Sequence, residues 1–402
     1  MRISILGGGI SGLSAAWSLR KRYPHAAISV FEKSDEVGGW IRSRRDGSFL
    51  FELGPRTFVA GRCMQLLELI QDVGLQDKII YSDPTAAKRF LLQRGKLRSI
   101  SSFFPLILQM VLKDLLAKKG TACDETIESF ATRRFGTRGA WQFFDPMALG
   151  VFAGDIQRLS VKSCFPFLVD WEQNFGSVVL GAFRQKRQDS RLFTLEGGMQ
   201  QLCTALCKQA NLEVHFNATV EDIRVDGHVA NGCFHRSDHI VCALPANIAA
   251  QLLRAPLNIR MESFEVVNLG YNSQLLPKKG YGYLVPSQEK EPLAGMIWDS
   301  AVFPYENQTK ITAMVKGQNP IQTALSAMHL HLGVAQIPDA TRSTRVEVPQ
   351  YELGHMDKIK AFKTQIQTSH PNVGVIGNYL DGASVNACVK EGVNYGKCCQ
   401  LC

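Results

Sequence analysis

The start of the chain alternates short apolar runs with a glycine-rich loop. Apolar residues fill Ile3–Leu6 except at Ser4, which predicts a buried strand. After the loop, Leu13–Arg20 carries apolar residues at helical spacing, and a second strand is predicted over Ile28–Phe31, followed by Glu32. This order of strand, glycine loop, helix, strand and acid is typical of a dinucleotide-binding βαβ unit.

Each glycine of the loop has a physical role in such a unit. Gly7 permits the tight turn out of the strand, Gly9 lets the backbone approach a pyrophosphate, and Gly12 lets the helix pack closely on the sheet. The helix N-terminus offers free N–H groups to phosphate oxygens. Glu32 lies 20 residues beyond Gly12, the spacing of a ribose-binding acid, and its charge disfavours a 2′-phosphate. The alternative is a structural βαβ turn.

Three further glycine segments favour FAD over NAD. Val37–Ser43 has a Gly-Gly pair followed by a basic residue and a hydroxyl, which suits a second pass of backbone beside a diphosphate. Phe51–Thr57 combines glycine and proline in a loop that could lie against a flat ring. A strand over Val373–Ile376 leads into a turn and a predicted helix, whose dipole would favour negative charge on a reduced flavin. A plain strand-to-helix turn is the alternative.

Composition indicates an ordinary globular protein with a basic surface. Of the 402 residues, 45% are hydrophobic and 20% charged, which excludes a disordered or collagen-like chain and suits two or three domains. The net charge of +9 makes an anionic membrane or an acidic substrate a candidate partner, whereas nucleic acid is not expected because no nucleic-acid motif is present. The 11 cysteines are scattered and expected to be reduced thiols in a cytoplasmic protein, with no metal site predicted. His329 and His331 are expected on one side of a strand, facing solvent.

The segment 86–119 is basic and surrounds an apolar helix predicted over 103–119. Ser101 or Ser102 could cap this helix, Pro105 suits its first turn, and Gly120 could end it. It is too short to span a bilayer, for which about 20 apolar residues are needed. An apolar face flanked by cations suits a helix lying on an anionic leaflet. A buried core helix with a solvated basic edge is the alternative.

Taken together, these segments resemble those of the protoporphyrinogen oxidase family, which belongs to the FAD-dependent group that also holds amine oxidases and phytoene desaturases. The motifs that carry the resemblance are GGGISGL, GGWIRS, FELGPR and, near the C-terminus, GNYLDGASVNACV. Further matches are RFLLQRGKL at 89–97, GVFAGDIQRLS at 150–160, LEGGM at 195–199 and CALPA at 242–246. The resemblance runs from residue 1 to about 395 and thins between about 255 and 365.

The resemblance implies an α/β fold with three parts. These are a discontinuous Rossmann-type FAD-binding domain, a mixed-sheet substrate domain and a helical membrane-associated domain. The FAD-binding domain would comprise 1–62, 193–252 and 366–402, the substrate domain 63–87 and 253–365, and the helical domain 88–192. Peripheral attachment to the inner face of a membrane is expected, and a homodimer is one arrangement left open.

The resemblance also implies the site residues. Arg89 matches an arginine that holds a substrate propionate, the alternative being a surface charge or a salt bridge; Arg56 could instead form a structural ion pair. Val220, expected near the end of a strand over 213–220, would contact the adenine side of FAD. The implied FAD contacts are Gly7, Gly8, Gly9, Ile10, Ser11, Gly12, Glu32, Lys33, Gly39, Trp40, Arg42, Gly54, Pro55, Arg56, Thr57, Val220, Ala383, Ser384 and Val385.

The implied activity is oxidation of protoporphyrinogen IX to protoporphyrin IX. FAD would remove six electrons in three rounds and pass them to molecular oxygen, giving hydrogen peroxide, with no essential side-chain base. Oxidation of coproporphyrinogen III, which carries four carboxylates, is an alternative. Others are an amine oxidase or carotenoid desaturase, a non-redox flavin isomerase, and a membrane-surface binder without chemistry.

Overall fold

The computed structural model of the chain describes residues 1–185, 188–303 and 307–400. Its strands are β1 Arg2–Leu6, β2 Ala27–Phe31, β3 Ser43–Asp46, β4 Phe49–Glu52, β5 Phe58–Val59, β6 Ile79–Tyr81, β7 Arg89–Gln93, β8 Lys96–Ser99, β9 Leu192–Leu195, β10 Glu213–His215, β11 Val220–Arg224, β12 Gly227–Ala230, β13 Cys233–Arg236, β14 His239–Cys242, β15 Met261–Tyr271, β16 Gly282–Leu284, β17 Leu293–Ile297, β18 Thr309–Val315, β19 Ala340–Pro349 and β20 Val373–Val375.

The helices alternate with these strands near both ends of the chain and follow one another in its middle. They are α1 Ile10–Arg22, α2 Met64–Asp72, α3 Phe104–Leu116, α4 Ile127–Phe135, α5 Thr137–Gly139, α6 Asp145–Phe152, α7 Val161–Cys164, α8 Pro166–Phe175, α9 Val178–Arg184, α10 Gln200–Gln209, α11 Ala246–Leu252, α12 Asp299–Val302, α13 Pro320–Leu332, α14 His355–Ser369 and α15 Val385–Cys398. None of the helices in the described part of the chain has both the length and the apolarity that crossing a bilayer requires.

A parallel sheet is assembled from three distant stretches of the chain. Its strand order is β10-β2-β1-β14-β20, and every pairing is parallel. Buried residues on its strands include Ile5, Val30 and Val241, as expected where helices cover both faces. α1 and α15 pack against each other so closely that a Cβ on Gly392 would lie 2.5 Å from the carbonyl oxygen of Ser11. The predicted βαβ start of the chain is thus completed by its C-terminal part.

A second, mixed sheet has the order β19-β15-β18-β17-β16-β7-β8. Its pairings are antiparallel except that β16 runs parallel to β7, which brings Arg89 opposite Gly282. Apolar side chains such as Trp298, Tyr271 and Ile311 form the core on one face of this sheet, where α13 packs. The chain therefore has the mixed α/β organisation that the sequence predicted.

The middle of the chain forms a helical cluster whose core includes Phe130, Phe144 and Phe165. α3 lies at its edge and is unusual, because its buried residue is Asp114, whereas most of its apolar side chains face outward. Leu116, for example, is 85% exposed. The core-helix interpretation of α3 is therefore wrong.

Several predicted local features differ from the structure. The strand expected over 213–220 is two strands, β10 and β11, because the parallel sheet ends at His215 and Val220 begins a separate antiparallel sheet. The pair His329 and His331 lies on α13 rather than on a strand, within a helix that Pro320 begins. α3 starts without a serine cap and ends at Leu116, before Gly120.

Candidate functional site

Two glycine loops meet at the carboxyl ends of β1 and β2. Gly38 donates its backbone N–H to the carbonyl oxygen of Gly8 at 2.8 Å. A Cβ on Gly39 would approach Cα of Gly9 to 3.2 Å, and one on Gly12 would lie 2.3 Å from the carbonyl oxygen of Gly7. Larger residues at these positions would obstruct both the contact between the loops and the packing of α1. The segments that the sequence assigned to a diphosphate are thus brought together.

Glu32 is buried beside these loops and held by backbone donors. Its Oε2 accepts a hydrogen bond from the N–H of Gly8 at 2.8 Å, and its Oε1 accepts one from Ser34 at 2.9 Å. Each carboxylate oxygen keeps a further lone pair, so the group can still accept hydrogen bonds from two hydroxyls. The neighbouring Lys33 is exposed.

The segment containing Val220 runs beside this acid. Ala218 donates its N–H to the carbonyl oxygen of Glu32 at 2.9 Å, and Asn217 donates to that of Ser34 at 3.0 Å. Val220 begins β11 two residues later and is half-buried. Its strand therefore differs from the predicted one, and its contact with the adenine side of FAD stays a prediction.

The 54–57 loop packs against the second glycine loop. A Cβ on Gly54 would lie only 1.9 Å from the carbonyl oxygen of Trp40, so this contact requires glycine. The Trp40 side chain is partly exposed. Arg42 reaches Ser34 through a 3.1 Å hydrogen bond and lies 3.5 Å from the Glu36 carboxylate. The three predicted segments thus form one continuous surface.

Arg56 points away from this surface into the protein. Its guanidinium donates to the Thr312 hydroxyl and to the carbonyl oxygen of Gly54, and lies 3.7 Å from the Asp299 carboxylate. These contacts agree with the structural ion pair that was kept as the alternative for this residue. The neighbouring Pro55 is half-buried.

Thr57 connects the loop to Arg89 through a residue that the sequence did not single out. The Thr57 hydroxyl and the Tyr281 hydroxyl are 2.9 Å apart and share a hydrogen bond. The guanidinium of Arg89 lies 5.2 Å from the centre of the Tyr281 ring, a cation–π distance. Arg89 itself is exposed and can therefore meet a carboxylate. The sequence analysis did not identify Tyr281, because only the pairing of β16 with β7 brings it next to Thr57 and Arg89.

The C-terminal segment supplies the first turn of α15. The Ser384 hydroxyl caps the helix by accepting a hydrogen bond from the N–H of Ala387 at 3.1 Å, which fixes where the free N–H groups point. Val385 is buried in the core shared with α1. Ala383 packs against the helical cluster instead. The turn predicted to face the flavin ring therefore lies where the parallel sheet and the helical cluster meet.

A pair of charged residues that the sequence analysis did not single out, half-buried Glu52 and buried Lys310, lies behind the 54–57 loop. Glu52 accepts hydrogen bonds from the N–H of Met199 at 2.7 Å and from the Ser43 hydroxyl at 2.9 Å. Burial raises the pKa of Glu52 to about 7, against the lowering effect of these bonds. Burial also lowers the pKa of Lys310 to about 8. The feature of the sequence that could have identified Lys310 is its place beside the buried Ile311 in a stretch of β18 where polar and apolar residues alternate.

The residues present fit FAD. A dinucleotide needs a glycine cradle for its diphosphate, an acid for its ribose and a flat surface for its ring system. The paired loops, Glu32 and the 54–57 loop lie in adjacent positions and would meet these needs in turn. The described residues contain no group of three or more His, Cys, Asp or Glu side chains arranged to hold a metal ion.

Comparison with known proteins gives consistent results. The family model of flavin containing amine oxidoreductases matches residues 10–318. The protoporphyrinogen oxidase of Bos taurus is 31% identical, with 97% of this chain and 96% of the relative covered. The coproporphyrinogen III oxidase of Bacillus subtilis is 24% identical, with 97% and 96% covered. A solved structure from Exiguobacterium sp. 255-15, provisionally described as a protoporphyrinogen oxidase, has a TM-score of 0.87 at 23% identity and covers 98% of both chains.

Proposed function

The chain belongs to the flavin-containing amine oxidoreductase family, and on that premise we propose that it oxidises a porphyrinogen to the porphyrin in heme biosynthesis. Its cofactor is FAD. The substrate we favour is protoporphyrinogen IX, because the protein is most similar to enzymes of that name among the relatives compared above. The reaction removes six electrons in three rounds, and molecular oxygen takes them up as hydrogen peroxide.

The observation that carries this proposal is the connection between Arg89 and the 54–57 loop through Tyr281. A porphyrinogen is a large apolar ring with carboxylate tails, so its enzyme must hold a carboxylate at a fixed distance from the flavin. A guanidinium can hold a carboxylate through two parallel hydrogen bonds and remains charged at any working pH. The Tyr281 ring supports the guanidinium while its hydroxyl bonds Thr57. We therefore assign Arg89 to the substrate and Tyr281 to its positioning.

When bound, FAD supplies the acceptor for two electrons in each round. The protein's contribution is to hold the cofactor and orient the ring. The residues proposed to hold the diphosphate are Gly7 to Gly12 and Gly39, with Glu32 on the ribose. Trp40, Gly54 and Thr57 would border the ring system, together with Ala383, Ser384 and Val385. We assign no side chain as an essential base at the reacting carbon, because aromatisation of the macrocycle provides the driving force.

A steady-state assay tests the proposal. Purified protein loaded with FAD should convert protoporphyrinogen to its fluorescent porphyrin in air and consume three oxygen molecules for each porphyrin formed. Arg89→Ala should raise KM about tenfold or more, the effect of losing a hydrogen bond to a charged group, with little change in FAD binding. An absence of both fluorescence and oxygen uptake would refute the proposal, and porphyrin formation without oxygen uptake would refute the assignment of oxygen as the electron acceptor.

Coproporphyrinogen III is the second candidate substrate, and one feature favours it. Lys88, Lys278 and Lys279 are exposed and lie on the two segments that pair at Arg89, with Tyr281 donating its N–H to the carbonyl oxygen of Lys88 at 2.8 Å. Four cations in this region suit a substrate with four carboxylates. Initial rates on both porphyrinogens decide between them, and a K278Q/K279Q variant should lose more activity on the tetracarboxylate if these lysines bind it.

We also propose that α3 rests on an anionic membrane surface. Its outward side chains include Leu112 and Leu116, and Phe183 on the neighbouring α9 is 83% exposed. Lys118 and Lys119 follow the helix and are exposed, so cations border the apolar surface. This arrangement suits a helix that lies in the interface rather than one that crosses the bilayer.

Vesicle flotation tests the membrane proposal. The protein should float with vesicles that contain phosphatidylserine and should stay in solution with neutral ones. An L112E/L116E variant should lose most of this binding, whereas Leu330→Glu, which changes an equally exposed leucine on α13, should keep it. Equal flotation of both variants would contradict a specific role for α3.

A further inference from the structure

A small cavity lies behind the 54–57 loop, between β4 and the mixed sheet. It offers about 30 Å³ to the centres of water molecules, whereas about 10–15 Å³ suffices for one ordered water. Seven of the eleven described residues that line it are polar or charged. The polar residues around it are Glu52, Arg56, Thr194, Asn268, Asp299, Lys310 and Thr312.

The hydrogen bonds around this cavity are incomplete. Asn268 is 1% exposed, and its Nδ2 has no partner, although its Oδ1 is 2.9 Å from the Thr312 hydroxyl. That hydroxyl carries one proton but faces two acceptors, Asn268 and the Asp299 carboxylate at 2.7 Å, while it accepts from Arg56. Exchanging the amide oxygen and nitrogen of Asn268 would leave the oxygen without a donor instead. A further molecule that both donates and accepts must complete the network, and water is the one that fits the volume.

The same cavity is bordered by charged groups that titrate close to neutrality. Burial raises the pKa of Glu52 to about 7 and lowers that of Lys310 to about 8. Asp299 raises the pKa of Lys310, whereas Arg45 and Arg56 lower it. A negative charge that develops nearby would raise the pKa of Glu52 further and favour uptake of a proton there.

We propose that the cavity holds ordered water and that, through this water, Glu52 stores the proton released during each oxidation round. The proposal rests on the proposed function. In each round a methylene C–H bond of the porphyrinogen breaks, and its hydrogen leaves with the electron pair, which FAD would accept when bound. The new double bond is completed by loss of a proton, from a ring nitrogen in two of the three rounds and from a methylene carbon in the third, and this proton passes to the Glu52 carboxylate. Four C–H and two N–H hydrogens are lost in all, as formation of the porphyrin requires. Oxygen then accepts the two electrons with that hydrogen and the stored proton, which gives hydrogen peroxide.

Two connections in the fold link the cavity to the proposed flavin site. Arg56 belongs to the same loop as Thr57, which bonds Tyr281 beneath Arg89. Glu52 accepts from the N–H of Met199, in the LEGGM turn that precedes α10. Protonation of Glu52 therefore changes the charge directly behind the loop that we assign to the ring system.

The first test counts protons without using the porphyrinogen. The pH dependence of the reduction potential of the FAD-loaded protein, between about pH 7.5 and 9, gives the protons taken up per two electrons. The wild type should take up close to two, one on the flavin and one on Glu52, and Glu52→Gln should take up one. Glu391→Gln is the matched control, because burial also raises the pKa of Glu391 to about 7 but its partners are Gly377 and Lys363.

Equal proton uptake by the wild type and Glu52→Gln would overturn the proposal. Because this measurement needs only bound FAD, it remains decisive if the protein fails to oxidise porphyrinogens, so the two failures are distinguishable. A crystal structure should show ordered water within hydrogen-bonding distance of the Asn268 amide. Asn268→Leu should displace that water and lower the proton count towards one, whereas a cavity without ordered density in the wild type would also overturn the proposal.

Discussion

Arg134 and Asp114 form a fully buried ion pair that holds α3 against the helical cluster, and we expect its loss to be among the most destabilising single changes. Both side chains are 0% exposed. The Arg134 Nε donates to Asp114 Oδ1 at 2.6 Å, and its terminal nitrogens donate to the carbonyl oxygens of Ala117 at 3.1 Å and Gly176 at 2.9 Å. Arg134→Met keeps an apolar stem of similar length but removes all of these donors.

The cost follows from what Arg134→Met leaves behind. The Asp114 carboxylate would stay buried without its cation, although the Ser177 hydroxyl and the N–H of Val179 would still bond it. Breaking a buried pair in this way costs about 3–5 kcal/mol. Since a domain has a free energy of unfolding of about 5–15 kcal/mol, the variant should lose a large part of its stability. Adding Asp114→Asn removes the stranded charge and should recover about 1–2 kcal/mol.

Urea unfolding followed by circular dichroism measures these differences. Arg158→Met is the control, because Arg158 pairs with Glu352 at 2.8 Å on the surface, where such pairs contribute about 1 kcal/mol or less. A loss of stability in Arg134→Met no larger than that in Arg158→Met would contradict a dominant contribution from the buried pair. A double variant as unstable as the sum of its two single changes would contradict the cost assigned to the unpaired Asp114 charge.

Three further predictions concern the candidate site and the sheet beside it. Tyr281→Phe, which loses the bond to Thr57 but keeps the ring beneath Arg89, should raise KM for the porphyrinogen about twofold to tenfold at unchanged FAD affinity; an unchanged KM would contradict its positioning role. Glu32→Gln should weaken FAD binding about tenfold in an equilibrium titration, and equal affinity would exclude the ribose assignment. Burial lowers the pKa of His228 to about 4, so the unfolded chain binds protons at higher pH than the native one. The free energy of unfolding should therefore fall as the pH drops from about 6.5 to 4. His228→Phe should lessen that fall, measured as the urea midpoint at each pH, and a difference between the variant and the wild type that stays the same at every pH would contradict this prediction.

The local elements of the flavin site could be predicted because their determinants lie within a few residues. Gly7, Gly12 and Glu32 lie at the turn, the helix and the strand end that the spacing predicts, whereas their contacts with FAD stay a prediction. The strand over 213–220 was wrong because the ending of β10 is set by its partner β2, which is distant in sequence.

Features that depend on tertiary pairing were beyond local patterns. Tyr281 lies beside Thr57 only because β16 pairs with β7, and Glu52 approaches Lys310 only because β4 packs on the mixed sheet. The orientation of α3 depends in the same way on the burial of Asp114, since its apolar composition suits a core helix equally well. Such features depend on which strands and helices pair across long sequence separations, and a single sequence does not show those pairings.

The assembly of the parallel sheet from three distant stretches has a consequence for synthesis on the ribosome. β1 emerges early, but its neighbour β14 is more than two hundred residues away, and α15, which packs on α1, comes later still. A nascent chain therefore exposes an unfinished sheet throughout most of its translation, when unpaired strands are prone to aggregate. Because we propose that the first turn of α15 borders the ring system of FAD, we expect loading with FAD to be complete only after α15 has left the exit tunnel, when most of the polypeptide has been made.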